Sequence, residues 1–203
     1  MNRRAMIKPI ALLAALLLSF SLAACGQQQA AGPAERPPLE GAAIGGPFTL
    51  VDKAGKTVTW SDFDGRYRIV YFGYTFCPDA CPMDVQKMMQ GFALFEKAQP
   101  VLARQVQPIF ISIDPARDTP PVVGEFAAAF HPRLLGLTGS EAQVAEAAKA
   151  FAAFYAKKGT GENYLMDHSR VAYLMGRKGE PIAMLPVDKA PAEVAAELTK
   201  WVR

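Results

Sequence analysis

The chain has 203 residues and carries 22 lysines and arginines against 19 aspartates and glutamates, a formal net charge of +3 at pH 7. Arg3, Arg4 and Lys8 lie in the first 24 positions and no acidic residue does, so the remainder holds 19 charges of each sign. A neutral chain with no basic run lacks the electrostatic footprint of a nucleic-acid binder, and that class is excluded.

The three basic residues precede an apolar run, residues 10–22, which closes on Leu22-Ala23-Ala24-Cys25. That order reads as an export signal, and its apolar core is short for a membrane span of about 20 residues. A cysteine directly after small residues is the bacterial lipobox. Residues 1–24 are therefore read as a lipoprotein signal peptide, with Cys25 as the lipidated new N-terminus. Residues 25–45 are rich in Gln, Ala, Gly and Pro and read as a flexible tether, with a coil dimension of about 25 Å. Residues 46–203 read as one domain. The expected location is the periplasmic side of the bacterial cell membrane, with the membrane engaged through the lipid.

Within the domain, residues 48–51 and 57–60 flank a turn at Asp52 to Lys56 and read as a hairpin. Residues 68–73 are a buried strand, followed at once by Phe76-Cys77-Pro78-Asp79-Ala80-Cys81-Pro82. Residues 84–97 place Val85, Met88, Met89, Phe92, Leu94 and Phe95 at helical spacing with a core face. Residues 106–113 read as a second β-rich run, and 122–130 and 141–154 as helices, the latter opened by Gly139-Ser140. Residues 170–175 and 182–185 flank a second hairpin turn, and 192–202 close the chain as a helix. This order predicts an α/β fold: a central mixed sheet flanked by helices, with an added N-terminal β-hairpin.

With Cys25 assigned to lipid, Cys77 and Cys81 remain as one close pair. In an oxidising compartment such a pair is a disulfide, a redox couple or a soft-metal site. A bridge closing so small a loop removes little unfolded-state entropy, so stability is a poor reason for it. Pro82 suits a first helical turn and places Cys81 at or beside a helix N-terminus, where thiolate is favoured; both sulfurs are expected to be accessible and of lowered pKa. Cys-x-x-x-Cys is one residue longer than a dithiol oxidoreductase motif, and still permits a disulfide while letting both sulfurs converge on a metal. Thiolates favour Cu(I), with zinc as competitor, and two cysteines alone are incomplete for zinc. Of the two histidines, His131 reads as a solvated surface residue at a helix exit. His168 precedes the strand at 170–175, where a thioredoxin-like fold faces its cysteine loop. On those residues alone, an ordinary hydrogen-bonded histidine is the favoured reading.

The run Val70-Tyr71-Phe72-Gly73-Tyr74-Thr75-Phe76-Cys77-Pro78-Asp79-Ala80-Cys81-Pro82 resembles the signature of the Sco/SenC family. So do Ile111-Ser112-Ile113-Asp114-Pro115-Ala116-Arg117-Asp118-Thr119-Pro120, Gly136-Leu137-Thr138-Gly139-Ser140 and Tyr164-Leu165-Met166-Asp167-His168-Ser169. The resemblance implies a thioredoxin-like fold, membrane tethering, and copper, as Cu(I) or Cu(II), held by Cys77, Cys81 and His168. It also implies a part in maturing the CuA centre of cytochrome c oxidase, so the implied partners are the CuA-bearing subunit and a periplasmic copper donor or thiol reductant. Besides this metallochaperone role, the pair permits thiol–disulfide exchange, with Cys77 and Cys81 as the redox-active residues. A third reading makes Cys77 a peroxidatic cysteine resolved by Cys81. Met83, Met88, Met89 and Met166 are expected to pack rather than bind metal. Asp79, Asp114, Asp118 and Asp167 are expected around the site but not as ligands.

Overall fold

The computed structural model describes residues 35–203. The predicted signal peptide and Cys25 lie outside them. Among the described residues, no helix is long and apolar enough to cross a membrane. The chain is already packed before Gly46: Leu39 N–H donates to Ile182 O and Gly45 N–H to Ala150 O.

Strands β1 (Thr49–Val51) and β2 (Thr57–Thr59) form the expected antiparallel hairpin, with a short 3-10 turn after them. Strand β3 (Tyr67–Gly73) leads to helix α1 (Ala80–Ala98) and the short α2 (Pro100–Ala103). Next come β4 (Val106–Ser112), α3 (Pro120–Phe130), β5 (Leu135–Leu137) and α4 (Glu141–Ala150). A separate hairpin, β6 (Tyr155–Lys158) and β7 (Leu165–His168), precedes β8 (Ala172–Met175), β9 (Pro181–Leu185) and α5 (Pro191–Trp201). The central sheet has the order β5-β4-β3-β8-β9, parallel from β3 to β5 and antiparallel from β3 through β8 to β9.

The pleat of β3 sends Ile69 and Tyr71 to one face and Val70 and Phe72 to the other. The first face packs against Val85, Met88, Met89, Phe92 and Phe95 of α1, with Val194 and Leu198 of α5 behind. Gly91 makes that helix pair possible, since a Cβ there would stand 2.5 Å from Val194 Cβ. The second face packs against Val144, Ala147 and Ala148 of α4, Phe151, and the β1–β2 hairpin. One charged side chain enters this strand: Arg68 is fully buried, donating to Gly176 O at 2.8 Å and Asp64 at 2.9 Å beneath the Trp60 ring.

The structure departs from the sequence expectation in the stretch that leads to His168. Helix α4 starts as expected, with Ser140 and Gln143 in a reciprocal capping box, but ends at Ala150 rather than 154. Ala152 takes a left-handed φ of 50°, letting its own N–H reach Lys149 O and Ala153 N–H reach Ala148 O. This is a Schellman stop built on alanine where glycine is usual, so the sequence carries no stop signal. The chain released there forms β6, which pairs with β7 in the register Tyr155↔His168. Neither of these strands nor β5 was expected as an element. Ala152→Gly should relieve the left-handed strain beyond what glycine costs in the unfolded chain, a net gain of about 0.5–1 kcal/mol. In urea denaturation this appears as a raised midpoint at an unchanged slope.

Candidate metal centre

The chain leaves the carboxyl end of β3 at Gly73, where a Cβ would lie 3.3 Å from Cys81 Sγ and 3.0 Å from the Phe110 ring. Glycine therefore lets the buried thiol settle directly on the strand end. Thr75 is then tied down by Asp118, whose carboxylate receives the Thr75 N–H at 3.0 Å and its hydroxyl at 2.6 Å. Ser112 Oγ donates a third bond to the same carboxylate at 2.6 Å. Burial pushes the Asp118 carboxyl above its ordinary value despite these three donors. Asp114 is buried as well. The two aspartates expected at the site rim are internal acceptors that shape the loop.

Cys81 is the second residue of α1 and is 0% exposed, whereas Cys77 is half-buried. Both are free thiols. His168 ends β7, whose alternation turns Met166 and His168 inward and Leu165 and Asp167 outward. Its Nε2 lies 2.9 Å from Cys81 Sγ, and its Nδ1 lies 2.9 Å from Ser169 O. A carbonyl only accepts, so Nδ1 carries the ring proton and the Nε2 lone pair faces the thiol. One donor atom each from Cys77, Cys81 and His168 falls within 4.8 Å of the others. Two sulfurs and one imidazole nitrogen form a soft set suited to copper, and zinc would still lack a fourth donor.

The two sulfurs are not equivalent, which corrects the expectation of two accessible thiols of lowered pKa. Burial pushes the Cys81 thiol well above its ordinary value, and the Tyr74 backbone N–H only partly offsets this. At Cys77 burial acts in the same sense, but the N–H groups of Cys81 and Asp79 outweigh it and hold this thiol below its ordinary value. The Cys81 N–H points at Cys77 Sγ from 3.3 Å, as a helix N-terminus should. Burial also lowers the pKa of His168, which favours the neutral, ligating imidazole.

Met88, Met89 and Met166 are core residues, as expected, but Met83 is 46% exposed beside the cysteines, against the packing expected of it. Asp167 faces solvent, 3.7 Å from Lys158. His131 is not solvated: its side chain is mostly buried against Phe92, 3.5 Å from Glu96, and it does not join the cluster. The sequence reading missed Asp84, one turn beyond Cys81. It is buried, accepts from the Tyr71 hydroxyl at 3.0 Å and pairs with both ends of Arg170 at 2.7 and 2.9 Å. Its position three residues after Cys81 on a helix was the available signal.

A family model described as SCO1/SenC matches residues 36–203. The chain belongs to that family. It is 41% identical over 155 residues to Protein SenC of Rhodobacter capsulatus, covering 76% of this chain and 68% of that one. It is 36% identical over 162 residues to the mitochondrial Protein SCO1 homolog of Homo sapiens, covering 79% of this chain but only 53% of the human protein. The chain thus spans about half the length of that relative. Arabidopsis thaliana ScoI with copper bound superposes with a TM-score of 0.71 at 37% identity, over 77% of this chain and 96% of that one. BsSco, described as a Sco-family cytochrome c oxidase assembly protein with a disulfide switch, gives 0.61 at 27% identity, over 76% and 91%. The fold is thioredoxin-like, as expected.

The difference between the thiols has a direct readout. Under limiting iodoacetamide at neutral pH, Cys77 should be alkylated well before Cys81, because its lowered pKa gives it more thiolate at any pH below its ordinary value. Peptide mass spectrometry of the quenched protein measures the order.

Proposed function

We propose that this chain is a membrane-tethered copper chaperone that takes copper as cargo on Cys77, Cys81 and His168 and assists assembly of the CuA centre of cytochrome c oxidase. The observation that carries this reading is the convergence of two sulfurs and an imidazole lone pair within 4.8 Å, on a scaffold shared with a copper-bound relative. Copper would act as the Lewis acid, competing with protons for the three donors. The residues contribute in different ways. Cys77 offers a sulfur already biased toward thiolate and reachable from solvent. Cys81 must lose its proton as it binds, so loading releases protons. His168 presents Nε2 without rearrangement, because Ser169 O already holds its other nitrogen. Phe76, 54% exposed, and Met83 border the pair and offer an apolar rim to a docking partner.

The inequality of the thiols supports a second reading, thiol–disulfide exchange. The Cys77 thiolate would attack a disulfide sulfur of the oxidase subunit, forming a mixed disulfide and releasing one partner thiol. Cys81, after losing its proton, would then attack Cys77 Sγ, releasing the second thiol and leaving a Cys77–Cys81 disulfide here. Two electrons and two protons pass to the partner. The disulfide switch ascribed to BsSco favours keeping this reading beside the first.

Copper loading and then gel filtration should leave about one copper per chain. His168→Ala and either Cys→Ser change should reduce retention at least tenfold in metal analysis, and a wild-type protein that elutes without copper overturns the chaperone reading. His168→Ala should still reduce a CuA-subunit disulfide if exchange is a second activity, since that reaction uses the sulfurs alone.

The tether is part of the same proposal: export by residues 1–24 and a lipid on Cys25 would keep the domain at the membrane surface. Mass spectrometry of the membrane-extracted protein should find a mature N-terminus at Cys25 with added acyl mass. An unmodified Met1 terminus is the contrary result.

A further inference from the structure

The metal centre is assembled from separate pieces of chain. The cysteines sit on the β3–α1 loop and its helix, and His168 sits on the β6–β7 hairpin. That hairpin forms its own two-stranded sheet and makes no backbone ladder with the five-stranded one. The distance between His168 and the thiols is therefore set by side-chain contacts and by the short link to β8, not by a backbone ladder. Burial of Met166, a bond between the Tyr74 side chain and the Met166 backbone, and the Arg170–Asp84 pair two residues beyond His168 hold the strand that carries the histidine, while the turn of the hairpin is held from another side.

The loop after β4 reaches both pieces. On the cysteine side, Asp118 holds Thr75 by its backbone N–H and its hydroxyl. On the hairpin side, Tyr164 Oη donates to Asp114 Oδ1 at 2.5 Å and Arg117 Nη1 donates to Glu162 O at 3.3 Å. Arg117 Nε donates to the other oxygen of Asp114 at 2.6 Å. The Arg117 guanidinium lies 3.6 Å over the Tyr164 ring and 4.9 Å from the Phe76 ring, so one cation spans the hairpin and the cysteine loop. Between the two anchors the loop is cross-braced. Ser112 Oγ accepts the Asp114 N–H and donates to Asp118, while Asp114 O accepts from the N–H groups of Arg117 and Asp118. None of these bonds involves Cys77, Cys81 or His168.

We infer that residues 112–118 act as a rigid spacer that sets His168 against the cysteine pair, with Tyr164–Asp114–Arg117 as its attachment to the hairpin. The inference rests on the copper reading for its consequence, and makes Tyr164 and Arg117 positioning residues rather than ligands. A spacer of this kind separates two properties. The cysteine loop is tied at Thr75 by Asp118 and the sulfur pair keeps its redox behaviour when the hairpin is loosened, while the nitrogen donor loses its alignment.

Tyr164→Phe in the full chain keeps the ring beneath Arg117 and removes only the hydroxyl. In the metal-free protein, amide hydrogen exchange at Met166, Asp167 and His168 should accelerate by about tenfold, the loss expected for one buried hydrogen bond, with β3 and β4 amides unchanged. Competition with the chelator bathocuproine disulfonate should show Cu(I) affinity weakened by about tenfold. Nitrogen coupling in the Cu(II) electron paramagnetic resonance spectrum should fall. The thiol–disulfide potential, measured against glutathione, should not move. Unchanged hairpin exchange, or unchanged copper affinity and nitrogen coupling, overturns the spacer. Arg117→Lys, which keeps the charge but loses the fork and the stacking plane, should reproduce the result and serves if Tyr164→Phe does not fold. A His168→Ala control separates the two levels. If it binds copper as well as wild type does, the copper reading fails. If it is weakened while Tyr164→Phe is not, the spacer alone fails.

Discussion

The site depends on strand β3 being buried on both faces. All seven of its residues are buried, with β4 on one edge and β8 on the other. A strand so enclosed has no freedom to shift register, because a slip of one residue would exchange the residues packed under α1 with those packed under α4. Its carboxyl end is consequently a fixed point in the molecule. Gly73 brings the chain off that point with room for a sulfur, and Asp118 catches it two residues later at Thr75.

From this fixed point, burial assigns different chemistry to two identical residues. Cys81 is enclosed by the strand end, where a charge would be cut off from water, so it keeps its proton. Cys77 stands one helical turn earlier, where unpaired amide N–H groups point at it, and it gives its proton up more readily. The same enclosure leaves His168 neutral, with its lone pair already facing Cys81. The arrangement suits copper binding and would equally serve the proposed thiol exchange. In either case one sulfur is ready and the second gives up its proton as the new bond forms.

Much of this was readable from residue order. The strand at 68–73, the amphipathic helix after it, the Ser140 cap and the two hairpins at either end all carry local signals, and the structure contains them. The failures also have local causes. Tyr155-Ala156-Lys157-Lys158 shows no apolar alternation because β6 is an edge strand with two exposed lysines, so it carries no strand signal. Ala152 offers no glycine to mark the stop. His131 looked like a surface residue at a helix exit until Phe92 and Glu96 enclosed it. Met83 fitted the helix by position, yet its face turns to solvent.

What the sequence determined by itself is the cysteine pair and its local frame, with His168 joined to them through the resemblance to the Sco/SenC motifs. Two cysteines four positions apart, a proline at the helix start and a histidine before a late strand are short-range features, and they point to thiol or soft-metal chemistry without choosing between them. Only the tertiary structure decided which thiol keeps its proton and which imidazole nitrogen faces the sulfur. It alone brought His168 within 2.9 Å of a cysteine 87 positions away. Spacing is a property of the chain, whereas burial and hydrogen-bond partners arise from segments that meet only after folding.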